Sequence, residues 1–141
     1  LIILFDLLSA FPSVSWGWLM LALAASGAPK DVCNFVSSLY FNVRAFVNVK
    51  GAWRFAFRVT AGVLEGCPLS ASLFVIAMDP FLNDFQQCLV QKSYAAIFAC
   101  ADDLGTAVID LFVLKQLARV FKVMNAVACL VLQIKNVLLF L

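Results

Sequence analysis

A chain of 141 residues is long enough to bury the core of one domain, and this one is unusually apolar: 65% of its residues are hydrophobic and 13% charged, against roughly 45–50% and 25% in soluble domains. Ten Lys and Arg against eight Asp and Glu leave a formal charge of +2, too little to mark a nucleic-acid binder by total charge. Without histidine, Ser-His-Asp and Cys-His catalysis and ordinary zinc sets are excluded, and chemistry must run on carboxylates, lysine or a metal.

The chain opens on an apolar run, Leu1 to Phe5, that reads as a buried strand with Asp6 at its end. It starts without a methionine, so sequence is expected upstream. After a turn around Pro12-Ser13, Val14 to Ala25 reads as a helix stopped by Gly27 and Pro29. Val32, Phe35, Val36, Leu39 and Tyr40 then fall at i, i+3, i+4, i+7 and i+8, one buried helical stripe. Next the period drops to two. Trp53, Phe55, Phe57 and Val59 alternate with Arg54, Ala56 and Arg58, and Lys50-Gly51 separates this strand from one near Val43 to Val49, a hairpin with a basic face.

Gly62 to Ser70 reads as a loop, and Pro68 suits the first turn of a helix through Leu69 to Met78 that Pro80 should kink or end. Tyr94 to Ala101 and Leu104 to Ile109 look like strands meeting at Asp102-Asp103. Leu111, Leu114, Leu117, Ala118, Phe121 and Met124 form a helical stripe after an N-cap at Asp110. Leu130 to Leu141 reads as a further strand pair. The sum is an α+β domain, an antiparallel sheet packed by helices on one face.

Charge is segregated along this order: Arg44, Lys50, Arg54 and Arg58 fall in a stretch with no acid until Glu65, while Asp102, Asp103 and Asp110 cluster elsewhere. Adjacent carboxylates at a turn between apolar strands repel each other unless solvated or neutralised by a cation. A divalent metal would neutralise them, and an ordinary polar turn is the alternative.

Three blocks resemble the palm of reverse transcriptases, in the order that family uses. Phe5-Asp6-Leu7-Leu8-Ser9-Ala10-Phe11 is similar to F-D-x-x-x-A-F. Gly62-Val63-Leu64-Glu65-Gly66-Cys67-Pro68-Leu69-Ser70, followed by Leu73-Phe74 and Asp79-Pro80, is similar to G-x-x-Q-G-C-P-L-S and is the most specific. Cys100-Ala101-Asp102-Asp103 resembles Y/F-A-D-D. A looser fourth block, Leu130-Val131-Leu132-Gln133-Ile134-Lys135, resembles G-L-x-L-N-x-x-K, with Lys135 one place early and Asn136 where the lysine falls. The likeness is to the non-LTR (LINE-type) retrotransposon and group II intron branch and spans nearly the whole chain.

The resemblance implies an RNA-directed DNA polymerase palm whose fingers and thumb lie outside residues 1–141. Its catalytic and metal residues would be Asp6, Asp102 and Asp103, converging on two Mg²⁺, with Mn²⁺ as a substitute. Phe11, Glu65 and Gly66 would meet the nucleotide, and Lys135 is the candidate general acid. Arg44, Lys50, Arg54 and Arg58, interleaved with aromatics, would follow the nucleic-acid backbone; a solvated hairpin face is the alternative. The implied partners are an RNA template, a DNA primer and deoxynucleoside triphosphates. Four departures stand out: Glu65 for glutamine, Cys100 for an aromatic, Cys129 for glycine and Asn136 for lysine. With the depletion of charge they suggest a decayed element copy or one translated from a truncated reading frame, and a palm without fingers and thumb is expected to be silent as an isolated chain.

Two rival readings remain. Leu7 to Pro29 carries no charge and has the roughly 20-residue length of a spanning helix, so a small helical membrane protein is the first, although Pro12, Gly17 and several serines interrupt it. The second is a noncatalytic nucleic-acid-binding remnant. Leu1 to Ala10 has Asp6 inside its apolar run and no basic residue ahead of it, unlike a signal peptide. Five cysteines with no C-x-x-C spacing suit buried thiols in a reducing compartment. An intracellular location, cytoplasmic or nuclear, is therefore expected.

Overall fold

The computed structural model describes residues 1–90, 95–109 and 112–138. Tyr94, Asp110, Leu111 and residues 139–141 lie outside that set, as does the side chain of Cys88. A four-stranded antiparallel sheet is built in the order β4-β5-β1-β6, from β1 (Ile2–Leu8), β4 (Ala95–Cys100), β5 (Asp103–Val108) and β6 (Val131–Leu138). The helices α2 (Trp16–Ala25), α4 (Ser70–Val90) and α5 (Phe112–Ala128) cover one face of it. This is the expected α+β architecture.

β1 is central, and its burial alternates: Ile3, Phe5 and Leu7 enter the core while Ile2, Leu4 and Asp6 stay partly exposed on the opposite face. The alternation continues through the buried Leu7, and β1 pairs with β6 as far as Leu8. Asp6 therefore lies inside the strand and not at its end.

The expected helix from Val14 is divided. A one-turn α1 (Ala10–Ser13) comes first, then Val14, fully buried in non-helical backbone, and α2 starts only after Ser15, whose Oγ accepts from the Trp18 amide at 3.4 Å. Gly27, at φ +79°, closes α2: the amide of Ala28 donates to the Leu23 carbonyl and that of Gly27 to Ala24, the bonding of a left-handed helix stop. In α3 (Lys30–Tyr40) only the inner edge of the expected stripe is buried. Val36 and Tyr40 are covered, whereas Val32 and Phe35 are exposed.

α4 runs through Pro80. Proline removes the amide that would bond the carbonyl one turn back and crowds that turn. The carbonyl it frees is that of Ile76; one residue on, the neighbouring helix holds the same turn, because the Trp18 indole donates to the Ala77 carbonyl at 2.8 Å and its ring stacks on Phe81 at 4.7 Å. Leu73, Phe74, Ala77, Met78, Phe81 and Phe85 are all buried, so packing holds the helix past the residue expected to stop it. On α5 the buried residues are Val113, Leu117, Val120, Met124 and Ala128, a stripe rotated toward its N-terminal neighbours from the one read in sequence. Phe121, half-buried, meets Phe5 and Phe85 edge-on at 5.1 and 5.0 Å.

The expected strand pair after Leu130 is instead one strand, β6, paired along β1. A bulge shifts its register between Leu4 and Phe5, whose partners are Asn136 and Ile134, leaving Lys135 as the extra residue.

β2 (Arg44–Val49) and β3 (Ala52–Arg58) form a separate two-stranded sheet. Lys50 and Gly51, at φ +51° and +85°, make its two-residue turn, and Asn48 Oδ1 accepts from the Gly51 amide at 2.9 Å; two successive left-handed residues match the twist of a hairpin. Among the described residues no helix is long and apolar enough to cross a membrane, and the membrane reading has no helix to rest on.

Candidate active site

The two acidic blocks meet across strands. Asp6 on β1 lies directly opposite Asp103 on β5, and facing residues of an antiparallel pair project from the same side of the sheet. Asp102 occupies the β4–β5 turn, and its carbonyl accepts from the Leu7 amide at 3.1 Å, which ties that turn to β1. Ala101, the preceding turn residue, holds φ +53°, a conformation that costs an L-residue roughly 1–2 kcal/mol.

Like charges directly opposite are destabilising, and β6 supplies what offsets them. Lys135 Nζ donates to Asp103 Oδ1 at 3.0 Å, both groups being exposed. The Asp103 bond and charge, and after them the charges of Asp6 and Asp102, hold the Lys135 ammonium above its ordinary pKa. Gln133, the partner of Asp6 in the β1–β6 register, donates from Nε2 to Asp6 Oδ2 at 3.2 Å. Beside these groups a cavity of about 350 Å³ opens along the sheet face, lined among others by Leu4, Phe98, Gly105, Lys135 and Asn136.

Among the described residues no three His, Cys, Asp or Glu side chains are grouped so as to hold a metal ion between them. Asp6 and Asp102 nevertheless offer only oxygen, the donor of hard cations, and Mg²⁺ commonly binds through one or two carboxylates with the remaining ligands from water and substrate phosphates. The donor set fits such an ion.

The glycine-rich block is fastened to the segment after β1. Gly62 donates to Val14 O and Val63 to Phe11 O, both at 2.8 Å, and the Trp16 indole donates to Gly62 O at 2.7 Å. The approach is so close that a Cβ on Gly62, at φ +91°, would lie 2.6 Å from Pro12 O. Beyond this clamp Glu65 and Gly66 form an exposed turn, with Gly66 at φ +82°. The turn is anchored from beneath by the buried Ser70, whose hydroxyl donates to Leu64 O, and by Tyr40, bonded to Ser70 and the Leu64 backbone. Burial raises the Tyr40 phenol above its ordinary range, and those two bonds act against the rise. Phe11 is half-buried and stacks on Phe74 of α4 at 4.7 Å.

The basic hairpin is not one continuous basic face. Register slips between Ala45 and Phe46: Arg58 faces Arg44, Phe55 faces Phe46 and Arg54 faces Val47. The slip breaks the two-residue alternation, placing Arg54 on the opposite side from Arg44 and Arg58, and Lys50 at the tip. Trp53, Phe55 and Phe57 remain exposed.

Sequence reasoning gave no role to Gln133 or to the Tyr40–Ser70 anchor. Alternation along Leu132-Gln133-Ile134-Lys135 could have found the first, since it sets Gln133 and Lys135 on one side of a strand. Tyr40 is marked in sequence only as part of a buried stripe and Ser70 only as the end of a motif block, and neither marks their contact, which depends on how α3 meets the loop.

The model of the family described as reverse transcriptase (RNA-dependent DNA polymerase) matches residues 1–128. The chain is 35% identical over 82 residues to the retrovirus-related Pol polyprotein from type-1 retrotransposable element R2 of Bradysia coprophila, covering 58% of this chain and 9% of that protein. Among solved structures it is similar to apo telomerase of Candida tropicalis, truncated from its C-terminal domain, with TM-score 0.70, 15% identity and coverage of 96% of this chain and 31% of that one. The telomerase of Candida albicans, solved with a fragment of telomeric RNA, gives TM-score 0.71 at 16% identity over 96% of this chain and 27% of that one. The chain thus spans a third or less of each of these proteins. With fold, order of blocks and family match in agreement, the chain belongs to the reverse transcriptase family, on its non-LTR retrotransposon branch.

Proposed function

We propose that this chain is the palm segment of a retrotransposon RNA-directed DNA polymerase, with fingers and thumb contributed by other parts of the parent protein. The observation that carries the reading is the cross-strand placement of Asp6 and Asp103, with the Asp102 turn bonded to β1. Asp6 and Asp102 would hold two Mg²⁺, or Mn²⁺ in their place; when bound, these ions activate a primer 3′-hydroxyl and stabilise the leaving pyrophosphate. Asp103 faces Asp6, and its charge is met by Lys135.

The chain's own residues position and neutralise. The exposed Glu65-Gly66 turn, held from beneath by Ser70 and Tyr40, presents backbone toward the incoming deoxynucleoside triphosphate. Phe11 borders the sugar, its ring backed by Phe74. Lys135 is the candidate proton donor to pyrophosphate, and since Asp103 holds its proton more tightly, donation requires release from that pair. Arg44, Lys50, Arg54 and Arg58, with the exposed Trp53 and Phe55, track the RNA template and DNA primer by charge and stacking.

Primer extension on an RNA template with Mg²⁺ tests this. A chimera supplying fingers and thumb from a related element is expected to extend the primer, and Asp6→Asn or Asp102→Asn to lower the rate about a hundredfold or more, because the reacting atoms lose their near-attack placement. The isolated chain should be silent. A chimera equally active with either asparagine would overturn the assignment, and robust extension by the chain alone would overturn the fragment reading.

A further inference from the structure

We infer that Gln133 is a positioning residue for the Asp6 carboxylate, holding one oxygen by a neutral donor so that the other is presented to a divalent cation. The inference rests on the reading of Asp6 as a cation ligand. Three observations carry it. Gln133 stands opposite Asp6 in the β1–β6 register, its Nε2 lies 3.2 Å from Asp6 Oδ2, and the bulge that follows sets Lys135 as the extra residue of the same strand, bonded to Asp103 at 3.0 Å.

β6 thereby treats the two facing carboxylates differently. An amide donor orients Asp6 and leaves its negative charge intact, whereas an ammonium on Asp103 offsets that charge directly. A cation is drawn to the charge that the protein has compensated least, and Asp6, which meets Lys135 through space and not by a bond, is the carboxylate of this pair prepared for it. A lysine at 133 would compete with the cation; an alanine would leave the carboxylate free to rotate. Partners that orient a ligating carboxylate typically change metal affinity by about 10–100-fold.

The test is a Mn²⁺ titration of the 141-residue chain, followed by electron paramagnetic resonance, with thermal unfolding of every variant measured alongside. Gln133→Ala is expected to weaken Mn²⁺ binding about tenfold with little change in unfolding temperature, Gln133→Asn to restore part of the affinity, and Gln133→Lys to abolish it as fully as Asp6→Asn does. Thermal unfolding identifies any alanine variant that fails to fold, and the asparagine and lysine variants then decide. Unchanged affinity in the Gln133 variants, with binding lost in Asp6→Asn, would overturn the positioning role and leave the cation site standing. Binding equal to the parent in Asp6→Asn would overturn the cation site itself and this role with it.

Discussion

Cys129 ends α5 with φ +60°, its amide donating to the Asn125 carbonyl at 3.1 Å. A side chain in that left-handed conformation costs roughly 1–2 kcal/mol, which is why helix stops favour glycine. The family pattern has glycine at this place, and the departure legible in sequence is thus a strained backbone in the fold. Cys129→Gly should stabilise the chain by about 0.5–1 kcal/mol, the relieved strain being partly offset by the greater entropy glycine gives the unfolded state. Urea unfolding of the two proteins checks it, and an unchanged or lower midpoint would mean that the cysteine side chain contributes more than its strain costs. Gly62 shows the converse: its φ of +91° and the Pro12 backbone 2.6 Å from any Cβ require glycine, and the sequence block retains it.

Elements whose burial follows their own period could be read from sequence, and those decided by a neighbour could not. β1 alternates cleanly because both its flanks are paired and one of its faces is covered, so the strand and Asp6 were visible; its true end was not, since β6 extends the pairing to Leu8. Pro80 is a helix breaker locally, but the Trp18 indole and the buried faces of α4 outweigh it. The hairpin was legible from its alternation and its Lys50-Gly51 turn, while the register slip that divides its arginines has no local mark. Asp6 and Asp103 stand out as acids in apolar surroundings; alternation puts Gln133 on the side of Lys135, but only the strand pairing shows that it faces Asp6.

The Lys135–Asp103 pair gives this element a pH signature. The folded pKa of Lys135 is raised above 10.5 by the Asp103 bond, then by the charges of Asp103, Asp6 and Asp102. A raised lysine pKa contributes stability that is fully present below the unfolded value and is lost as pH rises through the folded one. Lys135→Met should therefore be less stable than the parent at pH 7, with the difference shrinking as pH rises above 10.5. Urea midpoints measured from pH 7 to above 11 would show this; a gap independent of pH would assign the loss to packing of the lysine stem.

For the whole molecule, the facing placement of Asp6 and Asp103 and the bond from Leu7 to the Asp102 turn are set by one sheet, and the Glu65-Gly66 turn is tied to it through the Gly62 clamp, the Phe11–Phe74 stack and the Ser70–Tyr40 anchor. Those ties fix where the turn sits, so a charge placed on it acts at a defined place in the proposed polymerase site. Glu65 is acceptor-only and anionic where the family pattern has an amide, and an anion beside a triphosphate is repelled. The group is exposed, so solvent and salt screen much of that repulsion. In the chimera with fingers and thumb, Glu65→Gln should therefore lower KM for the deoxynucleoside triphosphate by roughly threefold to fivefold. The advantage should shrink as ionic strength rises, because a charge effect is screened and a shape effect is not. Steady-state primer extension at low and high salt measures both. Equal KM values at low salt would show that the turn holds Glu65 away from the triphosphate, and a gain that persists at high salt would assign the effect to the amide donor instead of the lost charge.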